Sequence, residues 1–267
     1  MRGQDSAARP GIAPGARHTA GTMFAALYGT LVPYPWHDPE HDAYQLFYQR
    51  SLAMGWLDDA VPGLWAMNDA GWGHPLAAPA SDLVSWFQVE ASAVPGDRPL
   101  PVQPFLRCAW DVTERIGRVR LTAVQVLVPV QGIDAASRPP YATVPSVQTT
   151  DWFGEGDPGA RTAVKVRIDS GCDPSAADVA QQLAHELGVL EQDVFVGRLD
   201  DSVPLGFFPA PPFDDGFWNG PPLHGMSLSG ELVEWSGEAV GWLAEVVADA
   251  AARLGVRAPL LLTAVRA

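Results

Sequence analysis

The chain of 267 residues sets 17 Lys and Arg against 31 Asp and Glu, a formal net charge of -14, with 47% hydrophobic and 18% charged residues. That balance suits a folded domain rather than a disordered chain, and it repels nucleic-acid phosphates, since no basic cluster exists beyond Arg115, Arg118 and Arg120. No run of roughly 18 uncharged apolar residues and no signal-peptide core is present, and Cys108 and Cys172 lie far apart outside any ligand spacing. The expectations are therefore no membrane partner, no nucleic acid, no zinc site or disulfide framework, and a cytoplasmic location.

Residues 1–22 read as a disordered extension. Met23 to Val32 reads as a strand, and Asp38-Pro39 as the N-cap and first residue of a helix, because the carboxylate accepts orphan N–H groups and Pro has none to lose. That helix carries Tyr44, Phe47, Tyr48 and Leu52. A short strand follows near 60–66. Leu83 to Ala91 is a further strand whose alternation sets Leu83, Ser85, Phe87 and Val89 on one face and Val84, Trp86, Gln88 and Glu90 on the other. A helix over 104–116 and a strand over 118–130 complete a first half, 23–131. Residues 132–160, rich in Pro, Gly, Ser and Thr, form an extended connector, either a linker or functional, with Trp152 and Phe153 docking on a neighbouring surface.

In the second half, 161–267, Thr162 to Ile168 alternates as a strand, and Asp173-Pro174 opens a helix with Val179, Leu183 and Leu187 on one face and Gly188 at its end. Strands over 193–199 and 226–235 follow. Ser236 and Glu238 start a helix with a stripe of Leu243, Val246, Val247, Ala250 and Leu254, and the last strand spans 258–265.

The two halves share spaced residues. Asp38, Pro39, Leu52, Asp58, Val61 and Leu64 recur as Asp173, Pro174, Leu187, Asp193, Val196 and Leu199, each 135 positions on. Asn68 to Trp72 recurs loosely as Asp214 to Trp218, Asp82 to Trp86 as Glu231 to Trp235, and Arg115-Ile116-Gly117 as Arg253-Leu254-Gly255. The expected fold class is α+β: two internally duplicated ferredoxin-like βαββαβ halves in a pseudo-twofold barrel or sandwich. The chain resembles duplicated ferredoxin-like proteins in architecture alone, and that architecture implies no reaction.

Gly154 to Gly159 fits GxGxxG formally, but Pro158 interrupts it and a strand follows, so no nucleotide cofactor is expected. The cluster His37-Asp38-Pro39-Glu40-His41-Asp42 holds potential ligands or acid/base groups. Its counterpart from Cys172 to Ala177 keeps only Asp-Pro, which points to helix capping and no metal. Two aromatic stretches, 60–80 and 203–225, either wall a small-molecule pocket or cover the ends of the sheet. A buried Glu90 would be suited to proton transfer near neutral pH, with His74 or His37 as its partner. The candidate catalytic residues are Glu90, His74 and His37. The candidate substrate-binding residues are Trp72, Trp86, Gln88, Trp218 and Asn219.

The function expected is a cofactor-independent enzyme of condensation, cyclisation or isomerisation type, acting on a small, partly aromatic metabolite. The Arg, Ala, Gly and Pro bias suits a high-GC bacterial genome and secondary metabolism. The alternative is a non-catalytic acidic protein, an immunity or accessory factor, that binds a basic protein or ligand. A homodimer is a further expected association.

Overall fold

The computed structural model describes residues 19–38, 41–57, 63–73, 82–153 and 161–267, with the side chains of 151 and 152 excepted. Eight strands run in the order β1 (Thr19–Pro33), β2 (Trp65–Trp72), β3 (Leu83–Ser92), β4 (Gly117–Val128), β5 (Thr162–Asp169), β6 (Phe195–Leu199), β7 (Gly225–Leu232) and β8 (Leu260–Arg266). Among them lie α1 (Ala43–Ala53), α2 (Val102–Ile116), the single turn α3 (Ser175–Asp178), α4 (Ala180–Val189) and α5 (Gly237–Arg253).

The strands form one antiparallel sheet ordered β2-β3-β1-β4-β8-β5-β7-β6. β4 and β8 join the halves edge to edge, from Ala123 opposite Val265 to Val128 opposite Leu260. The end strands β2 and β6 do not pair with each other, so the sheet is open. This corrects the expected barrel or sandwich. The edges of β4 and β8 satisfy each other's backbone groups directly, which removes the need to close the sheet or stack it.

The helices cover one face. Phe47 of α1, Phe105 and Leu106 of α2, Leu183 of α4 and Trp242 of α5 are fully buried together with Met23, Ala25 and Leu27 of β1. The stripe expected of α5 is too narrow: Gly237 and every position from Ala239 to Ala252 are buried, because the sheet, α2 and the connector enclose the helix on all sides. α2 has no capping side chain of its own. Glu245 of α5 fills that role, its Oε1 accepting from Gln103 N at 2.7 Å in the first turn of α2, where orphan N–H groups and the helix dipole favour an acceptor.

Burial pushes the Glu245 carboxyl well above its ordinary value. The folded chain therefore keeps a proton that the unfolded chain releases above about pH 4.5, and the stability linked to this group falls as pH rises from there. Glu245→Gln keeps the acceptor and removes the titration. Its melting temperature is expected to match wild type near pH 4 and to exceed it at pH 8. Parallel pH profiles for the two proteins in thermal unfolding would refute this.

The described part of the connector, 132–153, is a series of 3-10 turns lying against α5. Trp242 Nε1 donates to Ser146 O at 2.8 Å, and Arg138 pairs with Asp249 at 2.6 Å with both side chains buried. Phe153 is buried in the core, as expected, whereas the Trp152 side chain lies outside the described residues. The first helix begins later than Asp38-Pro39 suggests: Asp42 is the cap and accepts from Tyr44 N. In the second half Asp173 Oδ1 accepts from Ser175 N at 2.8 Å, and hydrogen bonding from Ser175 holds its carboxyl below the usual range, but the N-cap of the single turn α3 is Pro174 and the expected continuous helix breaks at Val179, α4 starting at Ala180.

Candidate functional site

Alternation along β1 sends Phe24, Ala26 and Tyr28 to the face opposite the helices, where they meet Leu83, Ala123, Leu127 and Leu261 in a second apolar cluster. The long β6–β7 loop covers this face. It supplies Phe213, Phe217 and Trp218 to the cluster. Phe24 and Trp86 lie nearly parallel, centroids 5.8 Å apart, and Phe213 and Phe217 stand edge-on to Phe24 at 81° and 72°.

A three-residue polar clasp pins the loop over the junction of the halves. Gln125 and Thr263, opposite one another on β4 and β8, are joined by Gln125 Nε2 donating to Thr263 Oγ1 at 3.2 Å. The same Nε2 donates to Pro209 O at 2.8 Å, while Tyr28 OH, 2.8 Å from Gln125 Oε1, also reaches Ala210 O at 3.1 Å. Burial raises the Tyr28 phenol well above its ordinary value, so it remains a donor.

Two cavities flank the pinned segment. The larger, about 1010 Å³, lies over β3, β1 and β4, with Phe24, Trp86, Gln88, Ala123, Phe208 and Phe213 among its walls. The smaller, about 490 Å³, lies over β8 and β5, where Arg167, Asp169, Leu261 and Thr263 line it. Gly206, Phe208 to Pro211 and Phe213 border both. In the smaller cavity Arg167 Nη2 donates to Asp169 Oδ2 at 2.8 Å, and Asp169 Oδ1 accepts from Gly171 N.

Farther along β5, Lys165 Nζ donates to Asp200 Oδ2 at 3.0 Å and to Ser229 Oγ at 2.6 Å, and Ser229 Oγ donates to Asp200. Hydrogen bonds from Ser202, Ser229 and Lys165 hold the Asp200 carboxyl far below the usual range. These bonds tie β5, β7 and the chain after β6 together.

Of the residues singled out from the sequence, Trp86 and Gln88 line the larger cavity. Glu90 shares their strand face but not the cavity lining, and it accepts from Thr22 Oγ1 at 3.0 Å. Trp72 is on the helix face of β2, opposite Ser85, with its indole donating to His41 O at 3.0 Å. Trp218 packs on the apolar cluster beside Phe213 without lining either cavity. Asn219 binds the β5–α3 turn: Nδ2 donates to Ser170 O, and its own carbonyl accepts from Cys172 N. His37 neighbours His41 near the start of α1, ring centroids 6.4 Å apart, away from the cavity walls. His74 lies outside the described residues.

The aromatic stretch over 60–80 thus divides: residues 65–72 are strand β2, with Trp65 buried in the core, and the rest lies mostly outside the described residues. The alternation expected for β3 holds from Ser85 to Glu90. It reverses at Leu83 and Val84, where the register against β1 shifts between Leu27 and Tyr28 and turns Leu83 toward the loop. Phe24, Tyr28 and Gln125 were missed as site residues. Alternation along β1 and β4 would have grouped them by face, but only the pairing of distant strands brings them together.

No group of three His, Cys, Asp or Glu side chains among the described residues could hold a metal ion. No described helix is long and apolar enough to cross a membrane. The chain matches no protein-family model, and no curated protein and no solved structure matches it.

Proposed function

We propose that the protein binds a small, partly aromatic molecule between the β6–β7 loop and the sheet. The observation that carries this is the cavity of about 1010 Å³, walled by Phe24, Trp86, Phe207, Phe208, Phe213 and Phe217 and holding few polar groups. Small-molecule sites have this volume and this mixture of broad apolar walls and sparse polar contacts. Glu90 does not line the cavity, so the proposal is one of binding and assigns no proton transfer to that residue.

The test uses N-phenyl-1-naphthylamine, a neutral dye that brightens in apolar surroundings. Saturable binding at one dye per chain is expected, weakened about tenfold, or about 1.4 kcal/mol, in Trp86→Ala. Ala210→Trp, which places an indole where the two cavities meet, should abolish it while leaving the circular dichroism unchanged. Equal binding by the Ala210 variant and wild type would remove the cavity as the site.

We further infer that the two halves descend from one βαββαβ unit of ferredoxin-like type. The support is that β2-β3-β1-β4 and β6-β7-β5-β8 follow the same order outward to inward, with the equivalent strands β4 and β8 meeting at the centre.

A further inference from the structure

Resting on the binding role assigned to the larger cavity, we infer that its ligand is an organic cation: a flat apolar body carrying a protonated amine. The cavity's charged walls are Asp82 and Asp214, and among the described residues no Lys, Arg or His lines it. Arg118 and Arg120 lie farther along β4, beyond Thr122, and are not part of its lining. In the smaller cavity Asp215 joins Asp169, and the guanidinium of Arg167 there is already engaged by Asp169. Among the described residues that line the two cavities, Asp82, Asp214 and Asp215 thus stand beside one Arg167–Asp169 pair.

Aromatic faces add to this selectivity. A cation against Trp, Tyr or Phe rings is attracted by their quadrupole, most strongly for Trp, and Trp86 is a half-buried wall of the cavity beside Phe24. An anionic ligand would find no basic partner among the described residues of the larger cavity and no favourable field from a chain of net charge -14. A neutral ligand would use the rings but gain no charge pairing with the carboxylates. Asp214 keeps one oxygen on Gly216 N at 2.7 Å, which fixes the acidic rim of the loop without consuming its charge.

Three compounds with one body separate these cases: protonated 2-naphthylmethylamine, neutral 2-naphthylmethanol and anionic 2-naphthoate. Each competes with N-phenyl-1-naphthylamine at pH 7. The amine is expected to displace the dye at concentrations about tenfold lower than the alcohol, with naphthoate weakest, and added salt should narrow the gap because it screens exposed charges. In the doubly substituted Asp82→Asn, Asp214→Asn protein the amine should fall to the level of the alcohol while the alcohol itself is unchanged. Asn retains the capping oxygen toward Gly216, so the loop is preserved. Dye displacement with no preference for the amine, or with naphthoate tightest, overturns the cationic assignment and leaves the cavity reading intact. A preference that survives the double substitution overturns the role given to these two carboxylates. Failure of the dye itself to bind overturns both.

Discussion

Arg138→Met is expected to cost about 3–5 kcal/mol of stability at pH 7.5, the usual consequence of stranding one member of a buried ion pair. Arg138 from the connector meets Asp249 of α5 at 2.6 Å, their side chains 5% and 0% exposed. Asp249 Oδ2 also accepts from Ser146 Oγ at 3.0 Å. Burial outweighs the nearby guanidinium and raises the Asp249 carboxyl from 3.8 to about 6. An acid whose folded value is raised contributes most below its unfolded value and loses that contribution as pH rises through the folded one. Wild type should therefore weaken between about pH 4 and 6 on account of this group. Without Arg138 the carboxyl rises further, so the deficit of the variant is largest above pH 7 and shrinks on acidification as Asp249 takes up a proton. Urea unfolding at pH 7.5 and pH 5 measures both. A loss below about 1 kcal/mol at pH 7.5 would show that the pair does not hold the connector to α5. Adding Asp249→Leu to the variant removes the stranded charge and should restore much of the loss.

Gly241→Leu is the second large effect. α5 crosses α2 so closely that a Cβ on Gly241 would lie 2.5 Å from Gln103 Cα, and one on Gly237 would lie 2.8 Å from Leu106 O. These obstacles are backbone, which cannot rotate aside as a side chain does. A leucine must separate the helices and pull Gln103 N from Glu245, so a loss of about 3 kcal/mol is expected in urea unfolding. Gly241→Ala should lose less, because alanine regains about 1 kcal/mol of helix propensity over glycine. A leucine variant within about 1 kcal/mol of wild type would mean that the helices part at little cost.

Local chemistry made much of the fold legible in the sequence. Ser236 caps α5 as read, its Oγ accepting from Ala239 N, and Leu183 and Leu187 are the buried side of α4. The spaced matches between halves were less faithful. Leu52 and Leu187 correspond in sequence, yet Leu52 is exposed and the inward residues of α1 are Ala43, Phe47 and Ser51. Leu83-Val84 opens β3, whereas Leu232 closes β7 and Val233 follows it, so that similarity joins opposite ends of two strands. Short apolar motifs recur because strands and helices share periodicities, and register is decided by partners far away in sequence. The site suffered most from this. Trp86 and Gln88, which line the larger cavity, were singled out because they alternate within one strand. The clasp of Tyr28, Gln125 and Thr263 spans β1, β4 and β8, and no local pattern links them.

The segment that roofs both cavities is Phe207-Phe208-Pro209-Ala210-Pro211-Pro212-Phe213, held through the carbonyls of Pro209 and Ala210. Prolines fix their own φ and narrow the choices of the residue before them, so this stretch has little freedom left to lose. Its ordering entropy is met when the chain folds. For the ligand proposed above it would form a preorganised ceiling rather than a flap that must first be immobilised, an arrangement that favours tight association by a compact, rigid molecule.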